Sequence, residues 1–252
     1  MLTKILKKRI ILTTAVLFAL SLMYILPKEK LYTLDKVEEE LVYEDENLNK
    51  EVVYLLDSNN MLGRTEVVIN QNDVISKARE LLEILINNDK SENKIPNGFR
   101  GLIPSDTKIN SLNFDNNVIK VDFSKELLDV DIKYEEKVVE AIVYTLTSIK
   151  DVDKVILYVD GEILTKLPKS GLNLPSTLDK SYGINKEYDL TTYKDVNQVT
   201  IYYVNKYNDQ TYYIPVTKYL NDDREKIKII IEELASSSSY SSNLMSYLNS
   251  NT

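Results

Sequence analysis

The chain has 252 residues, 43% hydrophobic and 28% charged, enough for one or two globular domains with a sizeable core. It contains no Cys and no His, which excludes disulfides, thiol nucleophiles, thiolate or imidazole metal sites and His-based acid–base catalysis. Its formal charge of −8 hides an asymmetry, because Lys4, Lys7, Lys8 and Arg9 precede every carboxylate; the remaining 27 of 31 cations face 39 carboxylates, a balance that repels phosphate backbones and argues against nucleic-acid partners.

Ile10 to Leu26 is a run of apolar and hydroxyl residues without charge, flanked by the basic cluster and by Pro27. At 1.5 Å per residue it is a short but sufficient membrane span, and the basic flank places the amino terminus in the cytoplasm. A cleaved signal peptide would use Ala19-Leu20-Ser21, but the apolar run continues past it, which favours a retained anchor over residues 1–27. Residues 28–50 are rich in Lys, Glu, Asp and Asn and read as a charged stalk with some helical tendency.

A compact module is expected over residues 51–168. Glu51 to Leu56 and Arg64 to Ile69 are strand-like and joined by a turn-rich segment. Asn72 or Asp73 is an N-cap for a helix with the stripe Val74, Ala78, Leu81, Leu82 and Leu85. Ile109 to Phe114 and Val118 to Phe123 form a second hairpin across Asp115-Asn116-Asn117. Val139, Ile142, Val143, Leu146 and Ile149 make a second apolar helical stripe, and Val155, Leu157 and Val159 alternate as a strand closed by Asp160-Gly161. The order ββαββαβ predicts an α+β fold, a mainly antiparallel sheet covered on one face by two helices.

Residues 169–197, with Gly171, Pro175 and Gly183 and no sustained period, read as a linker. The pattern then restarts. Val199 to Val204 and Thr211 to Val216 repeat the first hairpin, and Lys228 to Leu234 falls on Arg79 to Leu85. Residues 198–252 therefore read as an incomplete second copy, whose helical stripe Ile227, Ile230, Ile231 and Leu234 would lack its cover.

Four segments carry a resemblance: Gly101-Leu-Ile-Pro-Ser-Asp-Thr-Lys108, Val121-Asp-Phe-Ser124, Val143-Tyr-Thr-Leu-Thr-Ser148 and Ile156-Leu-Tyr-Val-Asp-Gly161. In this order and spacing they resemble the GerMN module of sporulation and spore-germination proteins. The resemblance implies a tandem, extracytoplasmic, membrane-tethered protein of endospore formers, with a fold akin to ring-building motifs and no catalytic residues. It further implies partners among sporulation envelope proteins, or self-association. Proteins of this type are often lipoproteins; without cysteine, anchoring falls to Ile10 to Leu26.

Asp122, Asp160 and Glu162 are the carboxylates that could serve a peptidoglycan hydrolase, but each has a structural explanation on a strand or beside a turn. Ser124 has no base to activate it and reads as a cap. No catalytic, cofactor or metal residues are assigned. Tyr202, Tyr203, Tyr212 and Tyr213 in the second hairpin form the expected interaction surface, for protein partners or alternatively for peptidoglycan.

Overall fold

The computed structural model describes residues 13–18, 21, 49–88, 91–208, 210–235 and 244. The chain divides into two units, Met1–Glu46 and Asn47–Thr252. In the first, residues 13–18 and 21 are helical, and Val16, Leu17 and Phe18 are exposed. The rest of the expected anchor Ile10 to Leu26, and residues 28–48 of the stalk, lie outside the described residues. Among the described residues, no helix is long and apolar enough to cross a membrane.

The second unit opens with the expected hairpin of β1 (Lys50–Asp57) and β2 (Leu62–Val68). Asp57 closes it, its Oδ1 accepting the N–H groups of Asn59 at 2.9 Å and Met61 at 2.8 Å. Helix α1 (Val74–Leu85) starts at Asp73, whose carboxylate accepts the Ser76 N–H, and buries Ala78, Leu81, Leu82 and Leu85. A short β3 (Phe99–Arg100) pairs with β1. Strands β4 (Ile109–Asp115) and β5 (Val118–Phe123) turn through Asn116 and Asn117, both at positive φ, as a tight hairpin requires. Helix α2 (Ile132–Leu146) begins at Ile132, well before Val139, because Asp131 caps it by accepting the Lys133 N–H. Strands β6 (Lys154–Val159) and β7 (Glu162–Ile163) follow.

These elements make two sheets, where one was expected. One runs β4-β5-β6-β7, with β5 and β6 parallel across the α2 crossover; the other contains β3-β1-β2 and continues into the later strands. Helix α2 lies between them, packed on β1 and on β6. Every residue from Val138 to Leu146 is buried. The apolar stripe understated this, because Ala141, Tyr144 and Thr145 also face protein: Tyr144 meets Tyr54 edge-on at 5.4 Å, and Thr145 Oγ1 accepts the Tyr54 N–H at 3.0 Å. A helix apolar on all sides is an interior helix and calls for a layer on each face.

Residues 169–197 do not behave as a spacer. Leu174, Leu178 and Ile184 are buried in the same core as the module, and Val155 exchanges backbone hydrogen bonds with Leu178. Their apolar residues have no period because they follow an irregular path, which hides their burial from pattern reading. Next come β8 (Glu187–Asp189), β9 (Asn197–Tyr207), β10 (Gln210–Leu220) and α3 (Lys226–Ala235). β10 pairs with β9 along its length, with β8 in parallel, and with β2 at Tyr213 opposite Arg64. On α3 the buried residue is Ile229, with Ile230 and Leu234 partly covered; Ile227 and Ile231, expected in the stripe, are 59% and 52% exposed. The helix packs against β9 and leaves Ile227 and Ile231 largely exposed among the described residues.

Candidate functional site

The hairpin β9–β10 carries the four tyrosines singled out in the sequence and splits them. Adjacent strand residues point to opposite faces, so Tyr202 and Tyr213 lie on one face, 43% and 44% exposed, and Tyr203 and Tyr212 on the other, buried. Tyr212 packs edge-on against Phe99 at 4.7 Å and donates its hydroxyl to Asp57 Oδ2 at 2.9 Å; burial and that carboxylate push its ionisation well above the usual tyrosine range. Tyr203 joins the core formed with Val199, Ile201, Ile214, Val216 and Ile229. The surface tyrosines are therefore Tyr202 and Tyr213.

The backbone of β9 offers more than its side chains. Pro215 lies opposite Tyr202, has no N–H, and its carbonyl accepts Asn185 Nδ2 at 2.8 Å; the Thr217 N–H donates to the Ile184 carbonyl at 2.9 Å. Residues 213, 215 and 217 of β10 thus turn their backbone groups away from β9. In an antiparallel ladder the residues opposite them do likewise on the other side. Thr200, Tyr202 and Val204 therefore aim N–H and C=O outward along the free edge of β9, with no partner among the described residues. This edge carries a single charge, Lys206, and neither proline nor bulge, so among the described residues one lysine near its end is the only one of the usual devices against strand pairing that it shows.

Asn185 holds the hairpin to the module. At φ 46° it presents its side-chain amide between β2 and β10 like an inserted peptide group: Oδ1 accepts the Leu62 N–H at 2.9 Å, while Nδ2 donates to the carbonyls of Leu62 at 2.9 Å and Pro215 at 2.8 Å. Its own N–H donates to Glu140 Oε2 at 2.9 Å. Glu140 is buried on α2, and burial pushes its carboxyl up to about 7 against the pull of Lys137 and Lys186. Lys186 lies 2.6 Å from Glu136 and 4.0 Å from Glu140. Sequence reading missed this joint. The signal was Glu140 itself, an acid inside the apolar run Val138-Val-Glu-Ala-Ile-Val143, where a carboxylate needs a buried partner.

The candidate carboxylates have structural tasks. Asp122 Oδ1 accepts the Gly161 N–H at 2.9 Å and so ties the turn after β6 to β5. Asp160 occupies that turn at φ 48°, and Glu162 is exposed on β7. Ser124 stands at the N-cap of a short 3-10 helix, Lys125–Leu128, where its carbonyl accepts the Leu127 N–H, but its Oγ accepts the Lys108 N–H at 2.9 Å and so ties a loop instead of making a side-chain capping bond. Among the described residues, no group of three or more acidic side chains converges to hold a metal ion.

Residues 52–165 match the Germane family, described as sporulation and spore germination. The chain is 33% identical over 199 residues to the spore germination protein GerM of Bacillus subtilis (strain 168), an alignment covering 77% of this chain and 53% of that protein. It thus spans about half the length of the curated relative it matches. The solved structure of the tandem GerMN domains of the sporulation protein GerM from Bacillus subtilis superposes with a TM-score of 0.74 at 29% identity, covering 80% of this chain and 72% of that one. With its mixed sheets and interior helix, the chain is a GerMN-module protein of the sporulation and spore-germination family, similar to GerM.

Proposed function

We propose that this chain is a non-enzymatic, membrane-anchored extracytoplasmic assembly protein of the sporulation and germination envelope machinery, joining further copies of itself or other envelope proteins through β9. The observation that carries the reading is the open β9 edge, whose outward N–H and C=O groups at Thr200, Tyr202 and Val204 match what an added strand needs. The structural tasks of Asp122 and Ser124 favour a binding role over hydrolysis. In this reading β9, β10 and α3 begin a second GerMN copy, in keeping with the likeness to a tandem structure.

The edge is tested by Tyr202→Pro. Because the Tyr202 N–H points outward opposite Pro215, proline there removes a docking donor and no bond of the β9–β10 ladder. Crosslinking of the full chain in sporulating cells is expected to lose its larger adducts in this variant, while the thermal midpoint falls by only a few degrees. Adducts unchanged from the parent would overturn the reading.

The anchor is assigned to Ile10 to Leu26, supported by the helical residues 13–18 with exposed Val16, Leu17 and Phe18. Insertion of apolar side chains is indifferent to ionic strength, so the chain should sediment with membranes and stay there through a high-salt wash. A soluble form beginning near Leu22 would show cleavage after Ser21 instead.

A further inference from the structure

A second surface, which shares only Gln198 with β9, is shaped for a ligand. Where the segment before β8 meets β10, a cleft of about 480 Å³ is lined by Tyr182, Tyr188, Tyr219, Glu136, Lys186 and Gln198, among others. Its volume lies within the ordinary range for small-ligand sites, about 300–1,000 Å³. Tyr188 of β8 and Tyr219 of β10 are direct partners in a parallel pair, and their rings stack at 4.8 Å and 12°. One face of the Tyr188 ring is thus supported by the fold while the residue remains 65% exposed. A flat aromatic fixed from behind and open in front is a platform for a ring with an apolar face.

The surrounding polar groups narrow what that ring can be. Glu136 uses Oε1 to accept from Lys186 Nζ at 2.6 Å and from the Tyr182 hydroxyl at 3.3 Å, leaving Oε2 without a partner among the described residues. Gln198 donates Nε2 to the Ser181 carbonyl at 2.8 Å, which fixes its amide and leaves Oε1 free. Asn173 and Tyr188 also line the cleft, and among the described residues neither the Asn173 amide nor the Tyr188 hydroxyl has a hydrogen-bond partner. These groups supply several acceptors and donors around one aromatic face, the pattern of hydroxyls around a pyranose.

Charge decides the rest. Lys186 is the cation of the cleft, and it is consumed: it pairs with Glu136 and lies 3.4 Å from the Tyr182 ring centroid. Asp179 Oδ1 accepts the Ser181 N–H at 2.8 Å. Among the described residues that line the cleft no unspent cation remains to draw an acidic ligand, and the chain as a whole is anionic. Burial also raises the ionisation of Tyr182, Tyr188 and Tyr219, the last to about 12, so their hydroxyls stay neutral. We propose that this cleft binds a neutral oligosaccharide, with one sugar ring stacked on Tyr188 and its hydroxyls held by Glu136, Gln198 and Asn173.

The test is calorimetric titration of the full chain in detergent with two probes, tetra-N-acetylchitotetraose and maltotetraose. Binding of at least one is expected, and the preferred probe tells an amino-sugar polymer from a glucan. Tyr188→Ala should weaken that binding at least tenfold and Tyr188→Phe far less, whereas Tyr193→Ala, at a residue 96% exposed and outside the cleft, should leave it unchanged. Because Tyr188 is mostly solvent-facing, its replacement leaves the core intact, and a circular dichroism melt confirms this. Absence of binding to both probes, or full affinity in Tyr188→Ala, would overturn the proposal.

Discussion

Replacing Asn185 by glycine should lower the unfolding free energy of the chain by about 3 kcal/mol or more. Glycine keeps the positive φ that Asn185 adopts, so backbone strain does not contribute to the change. What is lost is the amide that satisfies the Leu62 N–H, the Leu62 carbonyl and the Pro215 carbonyl, all in a buried setting. Leaving a buried polar group without a partner costs about 1–3 kcal/mol each, and relaxation of the strands toward one another recovers part of the sum. The loss should be uneven: amides of β9 and β10 should exchange faster than those of β1, because the backbone ladder pairs β10 with β2 only at Tyr213 opposite Arg64. Asn185→Asp gives a second reading. It keeps the acceptor for Leu62 and Lys137 but turns a carboxylate oxygen toward two carbonyls, so it should be worse than glycine. Urea unfolding with a change below about 1 kcal/mol for both variants would show that the clamp is not what holds the hairpin.

Much of this architecture could be read from residue spacing, and the failures have identifiable causes. Helix α1 and the β4–β5 hairpin match the reading closely, because each has strong periodicity and polar punctuation at both ends: Asp73 before the helix, Asn116-Asn117 in the turn. The single covered sheet became two sheets because α2 is buried on every side from Val138 to Leu146, and a stripe count sees only its most apolar face. The segment 169–197 went unread because Leu174, Leu178 and Ile184 bury themselves without regular spacing. For the tyrosines, the period of two already implied that Tyr202 and Tyr203, or Tyr212 and Tyr213, could not share a surface. Tyr188 and Tyr219 were hidden by distance along the chain: only the parallel pairing of β8 with β10 brings them together. The resemblance to GerMN modules carried the family where the residues alone gave only an α+β class.

Glu140 should make the chain lose stability as pH rises, the opposite of the usual carboxylate. An ordinary surface glutamate titrates near 4.5, whereas burial holds the Glu140 proton in the folded state up to about 7. Below 4.5 the group is protonated folded or unfolded and contributes nothing. Between 4.5 and 7 the unfolded chain releases the proton while the folded chain retains it, so stability falls, and above 7 it levels off at the lower value. At about 1.4 kcal/mol per pH unit of separation, the full swing is on the order of 3 kcal/mol. The charges facing it work against this swing, since Lys137 and Lys186 favour the carboxylate, while Glu136 opposes it. Carboxylates held below their usual range, such as Asp179 and Asp222, lose stability only in more acidic solution, so they do not mask the window. Glu140→Gln keeps an acceptor for the Asn185 N–H and removes the titration. Its unfolding free energy should vary little between pH 5 and 8 from this site and exceed that of the parent at pH 8, with the two converging near pH 5. Parallel curves for parent and variant across that range would show that Glu140 is ionised in the fold, with Lys137 and Lys186 outweighing its burial.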